Sequence, residues 1–276
     1  MEYLYPGGLP KAMTFSYDDG QVYDRRLVKL FDEAGFKATF HLNSGNLASA
    51  GFVTPEETGT LYQNHEVACH GVTHRHPLQM TREEWLREVW QDRRTLEALT
   101  GRIVQGMSYA FGEYTPAEVD ALRAMGIRYS RTVSNTGHFG LPQDFMLWQR
   151  PATIMTACWS GQTNSCIPPA MKKCRCSTSG ATALSSALRR TGLMEQFCQL
   201  AGGREDTWYA TNIEIVDYMA DAARLQYTAA GDKVCNPNAQ SIWSRWMAAT
   251  MRSPPERRWR WYKRIRDLKR REQWQT

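Results

Sequence analysis

The sequence predicts an α/β protein in which strands and helices alternate through most of the chain. Three observations lead there. Short apolar strand-like runs alternate with amphipathic stretches over short connections, the mark of parallel βαβ units. Thr54, Thr81 and Thr115 each stand three residues before a glutamate, the N-terminal signature of a helix. And the apolar run 12–17 stops abruptly at two adjacent carboxylates, Asp18 and Asp19, followed by Gly20.

Taken in order, residues 12–17 read as a buried strand, and 22–34 as a helix with Leu27, Leu30, Phe31 and Ala34 at helical spacing and Gly35 as its stop. Strand 37–42 follows. Helix 54–63 has Pro55 at its first position, where a missing N–H is harmless. Strand 66–70 leads to the helix from Thr81 to the stop at Gly101, whose apolar face is Trp85, Leu86, Val89, Trp90, Leu96 and Leu99. Strand 103–109, a helix from Thr115 to Gly126 and strand 127–133 complete the regular part. The pattern returns with helix 193–200, strand 208–211 and helix 213–225. Between 151 and 192 neither period is sustained, and a poorly ordered stretch is expected there. Because parallel crossovers share one hand, the strands put their carboxyl ends at one rim. Asp18, Asp19 and the loop after the third strand then meet.

The 276 residues suffice for a large α/β domain, or for a domain of some 200 residues with an appendage. The division expected is a barrel-forming region 1–228 and an appendage 229–276. Neither a basic N-terminus leading into an apolar stretch nor a run of 18 apolar residues occurs, so a cytoplasmic protein without membrane contact is expected. The net charge of +6 is local: from Ser244 onward eleven Lys/Arg face three Asp/Glu, a net +8, and the rest of the chain sums to −2. Arg257 to Arg271 with Trp259 and Trp261 resemble a single-strand-binding tail in composition only, and nucleic acid is not an expected partner. Seven cysteines, an odd number, argue against a disulfide framework; Cys158, Cys166, Cys174 and Cys176 lack the paired spacing of a structural zinc site.

The loop after the third strand reads His70-Gly71-Val72-Thr73-His74. Two imidazoles four residues apart can converge through a tight turn, and with one carboxylate they leave coordination positions open for water and substrate. The segment is no zincin helix, since no Glu follows His70 and Gly71 interrupts it.

With Thr14-Phe15-Ser16-Tyr17-Asp18-Asp19-Gly20 and His70-Gly71-Val72-Thr73-His74, the chain resembles the polysaccharide deacetylase family, the NodB-homology carbohydrate esterases. The resemblance covers about residues 1–150 and continues faintly over 193–227. It implies a deformed, TIM-like (β/α)7 barrel. It also implies one divalent metal ion on Asp19, His70 and His74, Zn²⁺ first, with Co²⁺, Ni²⁺ or Fe²⁺ suited to the same ligands. Asp18 becomes the base that takes a proton from activated water in hydrolysis of an N- or O-acetyl group. The expected substrate is an acetylated carbohydrate or a related small amide. The family's third motif corresponds to Gly106-Met107-Ser108-Tyr109-Ala110-Phe111-Gly112, where the backbone N–H near Tyr109 is a candidate oxyanion donor. Asn43, Phe111 and Asn212 are candidate substrate contacts. The alternative is a barrel that binds carbohydrate or metal without catalysis.

The sequence also departs from the family. The third motif lacks its Arg, Ala110 stands where a Pro is expected, Gly71 replaces a hydroxyl residue, and no late strand ends in the His that acts as general acid. Codons allowed for residues 173–183, shifted by one base, can read M-P-L-L-Y-V-W-G-H-S, an apolar strand ending in His; those for 245–261 can likewise read as alternating strand and turn. We therefore expect compensating frameshifts around 151–192 and in the tail. DNA sequence across 151–192 without indels relative to intact relatives would rule this out.

Overall fold

The structure is a computed structural model and describes residues 2–135, 140–150, 176–182, 192–231, 233–246, 249–253 and 255. A short strand β1 (Glu2–Leu4) comes first. The predicted alternation then runs β2 (Lys11–Asp19), α1 (Asp24–Ala34), β3 (Ala38–Leu42), α2 (Pro55–Leu61), β4 (Glu66–Cys69), α3 (Arg82–Thr100), β5 (Gly106–Ser108), α4 (Pro116–Ala124) and β6 (Tyr129–Asn135). After it come β7 (Trp148–Arg150), β8 (Cys176–Thr182), α5 (Leu193–Ala201), β9 (Thr207–Tyr209) and α6 (Asn212–Ala223).

These strands form one parallel sheet in the order β7-β6-β5-β4-β3-β2-β8, with β9 also paired to β2. The sheet curls into a half-barrel with helices packed outside it, a deformed (β/α)7 barrel. Alternation along β2 separates its two environments, since successive side chains face opposite sides. Met13, Phe15 and Tyr17 join the hydrophobic core with Leu27 and Phe31 of α1, Trp85 and Val89 of α3, and Phe197 of α5. Thr14, Ser16 and Asp18 are equally buried and belong to a polar interior. Phe15 anchors the outer layer: its ring lies 4.8 Å from both Phe31 and Phe36 and meets Phe197 edge-on at 5.8 Å. Burying each such side chain contributes about 2–3 kcal/mol.

The helix signals work as read. Thr81 and Thr115 each accept the amide of the glutamate three residues on, and Glu57, Glu84 and Glu118 reach back to the amides of Thr54, Thr81 and Thr115. Gly35 and Gly101 close α1 and α3. Trp90 departs from the reading: it is 49% exposed, while Trp85 is buried, because the core-facing stripe of α3 runs through Trp85, Val89, Asp92 and Leu96.

Three strands run differently from the sequence reading. β2 continues through both aspartates, because β3 pairs with it as far as Asp19. β5 is three residues long instead of seven. Within 151–192, where no regular element was expected, Cys176–Thr182 pairs with β2 from Ala12 to Asp18. Backbone pairing to an open strand edge requires no side-chain periodicity, which is why the sequence pattern did not disclose it. Residues 151–175 and 183–191, including Cys158, Cys166 and Cys174, lie outside the described residues, as does the tail beyond 255.

The chain divides into two compact units, one of residues 11–216 and one of residues 1–10 with 217–276, so the division falls within α6. In the second unit β10 (Gln226–Tyr227) pairs with β11 (Val234–Cys235). A separate sheet joins β1, β12 (Ile242–Trp246) and β13 (Ala249–Ser253) in antiparallel register. The sequence had shown no clean apolar face there; Ile242 and Ser244 are both buried on one side of β12, so a serine occupies an inward position. Among the described residues no helix is long and apolar enough to cross a membrane.

Candidate metal centre

The site lies at the carboxyl end of the sheet in the 11–216 unit. β2 delivers Asp18 into the polar interior and then turns: Asp19 has φ 81 and Gly20 φ 73. The positive φ favours glycine at position 20, where a Cβ would also press on Leu42 Cδ2 at 2.9 Å. The strained turn points Asp19 away from the barrel interior, toward the loop after β4. Asp19 Oδ1 lies 3.7 Å from His70 Nε2 and 3.8 Å from His74 Nε2, and the three ligand atoms fall within 4.8 Å of one another. The expected trio is therefore assembled.

The donor chemistry fits a cation. His70 Nδ1 is 2.7 Å from the Ser108 carbonyl, which can only accept, so Nδ1 carries the proton and Nε2 presents a bare lone pair. Burial drives the His70 pKa down to about 4, which keeps the ring neutral. Burial and the neighbouring Asp18 charge raise Asp19. At His70 the nitrogen that faces Asp19 thus carries no proton. A tetrahedral ion with bonds of about 2.0–2.2 Å sets its ligands roughly 3.4 Å apart, close to the spacing here.

The loop from His70 to His74 is braced in a way the sequence did not disclose. Asp92, buried on the core-facing stripe of α3, accepts the amides of Ser44 at 2.9 Å and of His70 and Gly71 at 3.0 Å each. Burial raises its carboxyl to about 6. Asn43 completes the brace, its Nδ2 donating to the carbonyls of His70 and Gly71 at 2.8 Å. Asn43 is fully buried, so its observed partners are the loop's own carbonyls. Gly71 has φ 83, a backbone that favours glycine, so the residue missing a hydroxyl here serves the turn itself.

Asp18 is 5% exposed and flanked on both oxygens. Arg131 of β6 forms an ion pair with Oδ2. His41, its register partner on β3, places Nδ1 3.3 Å from Oδ1. Burial alone would raise Asp18, but the Arg131 guanidinium above all, with the His41 contact beside it, outweighs it and holds the carboxyl well below its ordinary value. Arg131 also donates to Ser16 Oγ at 3.0 Å and Ser108 Oγ at 2.9 Å. Ser108 stands in the third motif that lacks its Arg, and Arg131 is its direct neighbour in register. The guanidinium absent from one strand is supplied by the next.

The remaining candidates sit as follows. Tyr109 is buried, with its hydroxyl 3.1 Å from the Met146 carbonyl, and its amide donates to the Arg131 carbonyl at 3.0 Å. That amide is engaged, whereas those of Ala110 and Phe111 make no hydrogen bond among the described residues. Phe111 is at the site, its ring 4.5 Å from that of His74. Asn212 is elsewhere: it is 1% exposed inside the barrel, bonded to Thr14 at 2.8 Å, with its amide on Thr39 Oγ1. Glu66 lies beside it, accepting Thr39, Tyr129 and the Ile213 amide, and burial raises it to about 7. His76 stacks on Phe111 at 3.6 Å, and His138 lies outside the described residues.

A parallel half-barrel with this arrangement at its carboxyl rim has the fold of the polysaccharide deacetylases. Residues 7–130 match the family described as polysaccharide deacetylase. A polysaccharide deacetylase from Mycobacterium smegmatis superposes with a TM-score of 0.55 at 18% identity, over 80% of this chain and 94% of that one. A T48 deacetylase solved with substrate gives 0.51 at 16% identity, over 75% and 92%. A polysaccharide deacetylase from Bacillus cereus gives 0.43 at 20% identity over 49% of this chain, which spans 45% of the length of that protein. No protein of curated function matches the sequence significantly.

Proposed function

We propose that the protein is a metal-dependent hydrolase that removes N- or O-acetyl groups from carbohydrate. One observation carries the reading: the ligand atoms of Asp19, His70 and His74 lie within 4.8 Å of one another at the sheet's rim, with the carboxylate of Asp18 next in the chain. The three residues would hold a divalent ion, Zn²⁺ foremost and Co²⁺, Ni²⁺ or Fe²⁺ by the same donors, and the ion supplies Lewis acidity toward water and the acyl oxygen. Asp18 is the base. Arg131 and His41 fix its carboxylate and keep it ionised at neutral pH, ready to accept a proton. The amides of Ala110 and Phe111 supply donors for an oxyanion, and the half-exposed Phe111 ring offers an apolar wall to the sugar. The family description and the deacetylases sharing the fold support carbohydrate as the substrate class. A small linear amide is the other substrate that this chemistry would accept.

A second reading, a barrel that binds without turning substrate over, has one observation in its favour. Among the described residues every other histidine is engaged: His41 and His65 are buried, and His76 is stacked on Phe111. Acetate release from N-acetylglucosamine oligomers, measured with and without chelator and for Asp18→Asn, separates the readings. Metal-dependent release that falls at least about 100-fold in the variant supports the hydrolase. No turnover by folded, metal-loaded protein supports the binder.

A further inference from the structure

We propose that Phe111 holds His74 in place as a metal ligand, with His76 and Glu113 behind it. The inference rests on reading Asp19, His70 and His74 as a metal site.

The two histidines of that site are secured by different means. His70 has its Nδ1 on the Ser108 carbonyl and its amide on Asp92, so hydrogen bonds set its ring orientation. The His74 side chain makes no hydrogen bond among the described residues. Its ring is met by that of His70 at 4.6 Å and by that of Phe111 at 4.5 Å, the latter with planes at 66°. A metal-bound imidazole ordinarily has its second nitrogen anchored, and loss of that anchor weakens binding. At His74 ring packing takes over the task.

Neither burial nor backbone preference accounts for where the Phe111 ring lies. It is 45% exposed, and its backbone has φ 58, a left-handed conformation unfavourable for a residue with a Cβ. His74, its contact partner, has φ 54. Two strained residues thus meet ring to ring at the site. The ring of Phe111 is itself steadied, because His76 lies flat against it, 3.6 Å away with planes 6° apart. His76 is in turn fixed by Glu113, with Nδ1 3.1 Å from Oε1. Glu113, His76, Phe111 and His74 form a continuous row that ends on the ligand, and strain held at a functional site is maintained only when its surroundings enforce it.

The test titrates the full-length chain, freed of metal, with Co²⁺ by calorimetry and follows the visible absorption of bound Co²⁺. Thermal unfolding of the metal-free proteins is measured alongside. Phe111→Gly is expected to weaken Co²⁺ binding about 10- to 100-fold and to change the absorption band. Its metal-free unfolding midpoint should not fall, because glycine accepts this φ freely. Phe111→Tyr, which keeps the ring, should bind as the wild type does. Wild-type affinity in Phe111→Gly would overturn the proposal, and so would a weakening matched by lost metal-free stability, the mark of a merely structural ring. Absence of Co²⁺ binding by the wild type would instead overturn the metal-site reading, and this inference with it.

Discussion

Arg131→Met and Asp18→Asn, made singly and together, test whether the guanidinium of Arg131 on β6 holds the Asp18 carboxylate. Arg131 is 2% exposed and Asp18 5%, so each change leaves the other charge buried and unpaired. Breaking a buried pair in this way costs about 3–5 kcal/mol. Arg131→Met also gives up the hydrogen bonds to Ser16 and Ser108, roughly 1 kcal/mol each. The double variant strands neither charge, so its loss should fall short of the summed single losses by about 2–4 kcal/mol. Urea unfolding at pH 7 with chelator present measures all four proteins. The pH dependence carries a second signature. Asp18 lies below its ordinary 3.8 in the folded state, so its stabilisation is present above about pH 4 and is lost as pH falls through the folded value. That acid-limb loss should shrink in Arg131→Met. Single losses that add to within about 0.5 kcal/mol would refute the coupling.

Other outcomes follow from the buried acids and the metal loop. Asp24 of α1, with Tyr62 donating to one oxygen at 2.7 Å and Tyr17 and the Asp18 and Asp19 charges nearby, is pushed by burial up to about 8. Its folded value exceeds the unfolded 3.8, so its contribution is complete below about pH 4 and is lost as pH rises toward 8. Asp24→Asn should therefore gain on the wild type across pH 5–8, by up to about 4 kcal/mol at pH 7, and a pH-independent difference in urea midpoint would contradict this. Asp92→Ala leaves the amides of Ser44, His70 and Gly71 without their acceptor and should destabilise by about 3–5 kcal/mol, with Asp92→Asn milder; equal losses in calorimetric melts would count against the brace. Gly71→Ser restores the family's hydroxyl but places a Cβ at φ 83, so it should cost about 1–2 kcal/mol, and a rise in melting temperature would show that the hydroxyl outweighs the backbone.

Residues that announce themselves along one strand or loop were legible in the sequence. Asp18 and Asp19 ended an apolar run, and His70 and His74 followed the third strand; all four meet at the rim. Arg131 was not legible, because its role depends on register: it neighbours Ser108 across β5 and β6, and no motif spans both. A signal did exist, since Arg131 shares the inward face of its strand with Tyr129. Asp92 interrupted an apolar stripe of Trp85, Val89 and Leu96, which a purely apolar reading of α3 passes over. The Tyr109 amide was a reasonable oxyanion donor until pairing with Arg131 engaged it. Asn212 followed a late strand, but β9 pairs with β2 only at Lys11–Met13, which places Asn212 beside Thr14, well short of the rim. β8 shows the limit of periodicity, since an open strand edge can recruit a segment with no apolar alternation.

The measurement that bears most directly on the central claim is the metal content of the purified full-length chain, followed by anomalous scattering at the absorption edge of the metal found. The account predicts one divalent ion per chain, placed between Asp19, His70 and His74 and lost in His70→Ala. A chain that stays metal-free after incubation with Zn²⁺ and Co²⁺, or an ion bound elsewhere with that site left empty, would contradict it.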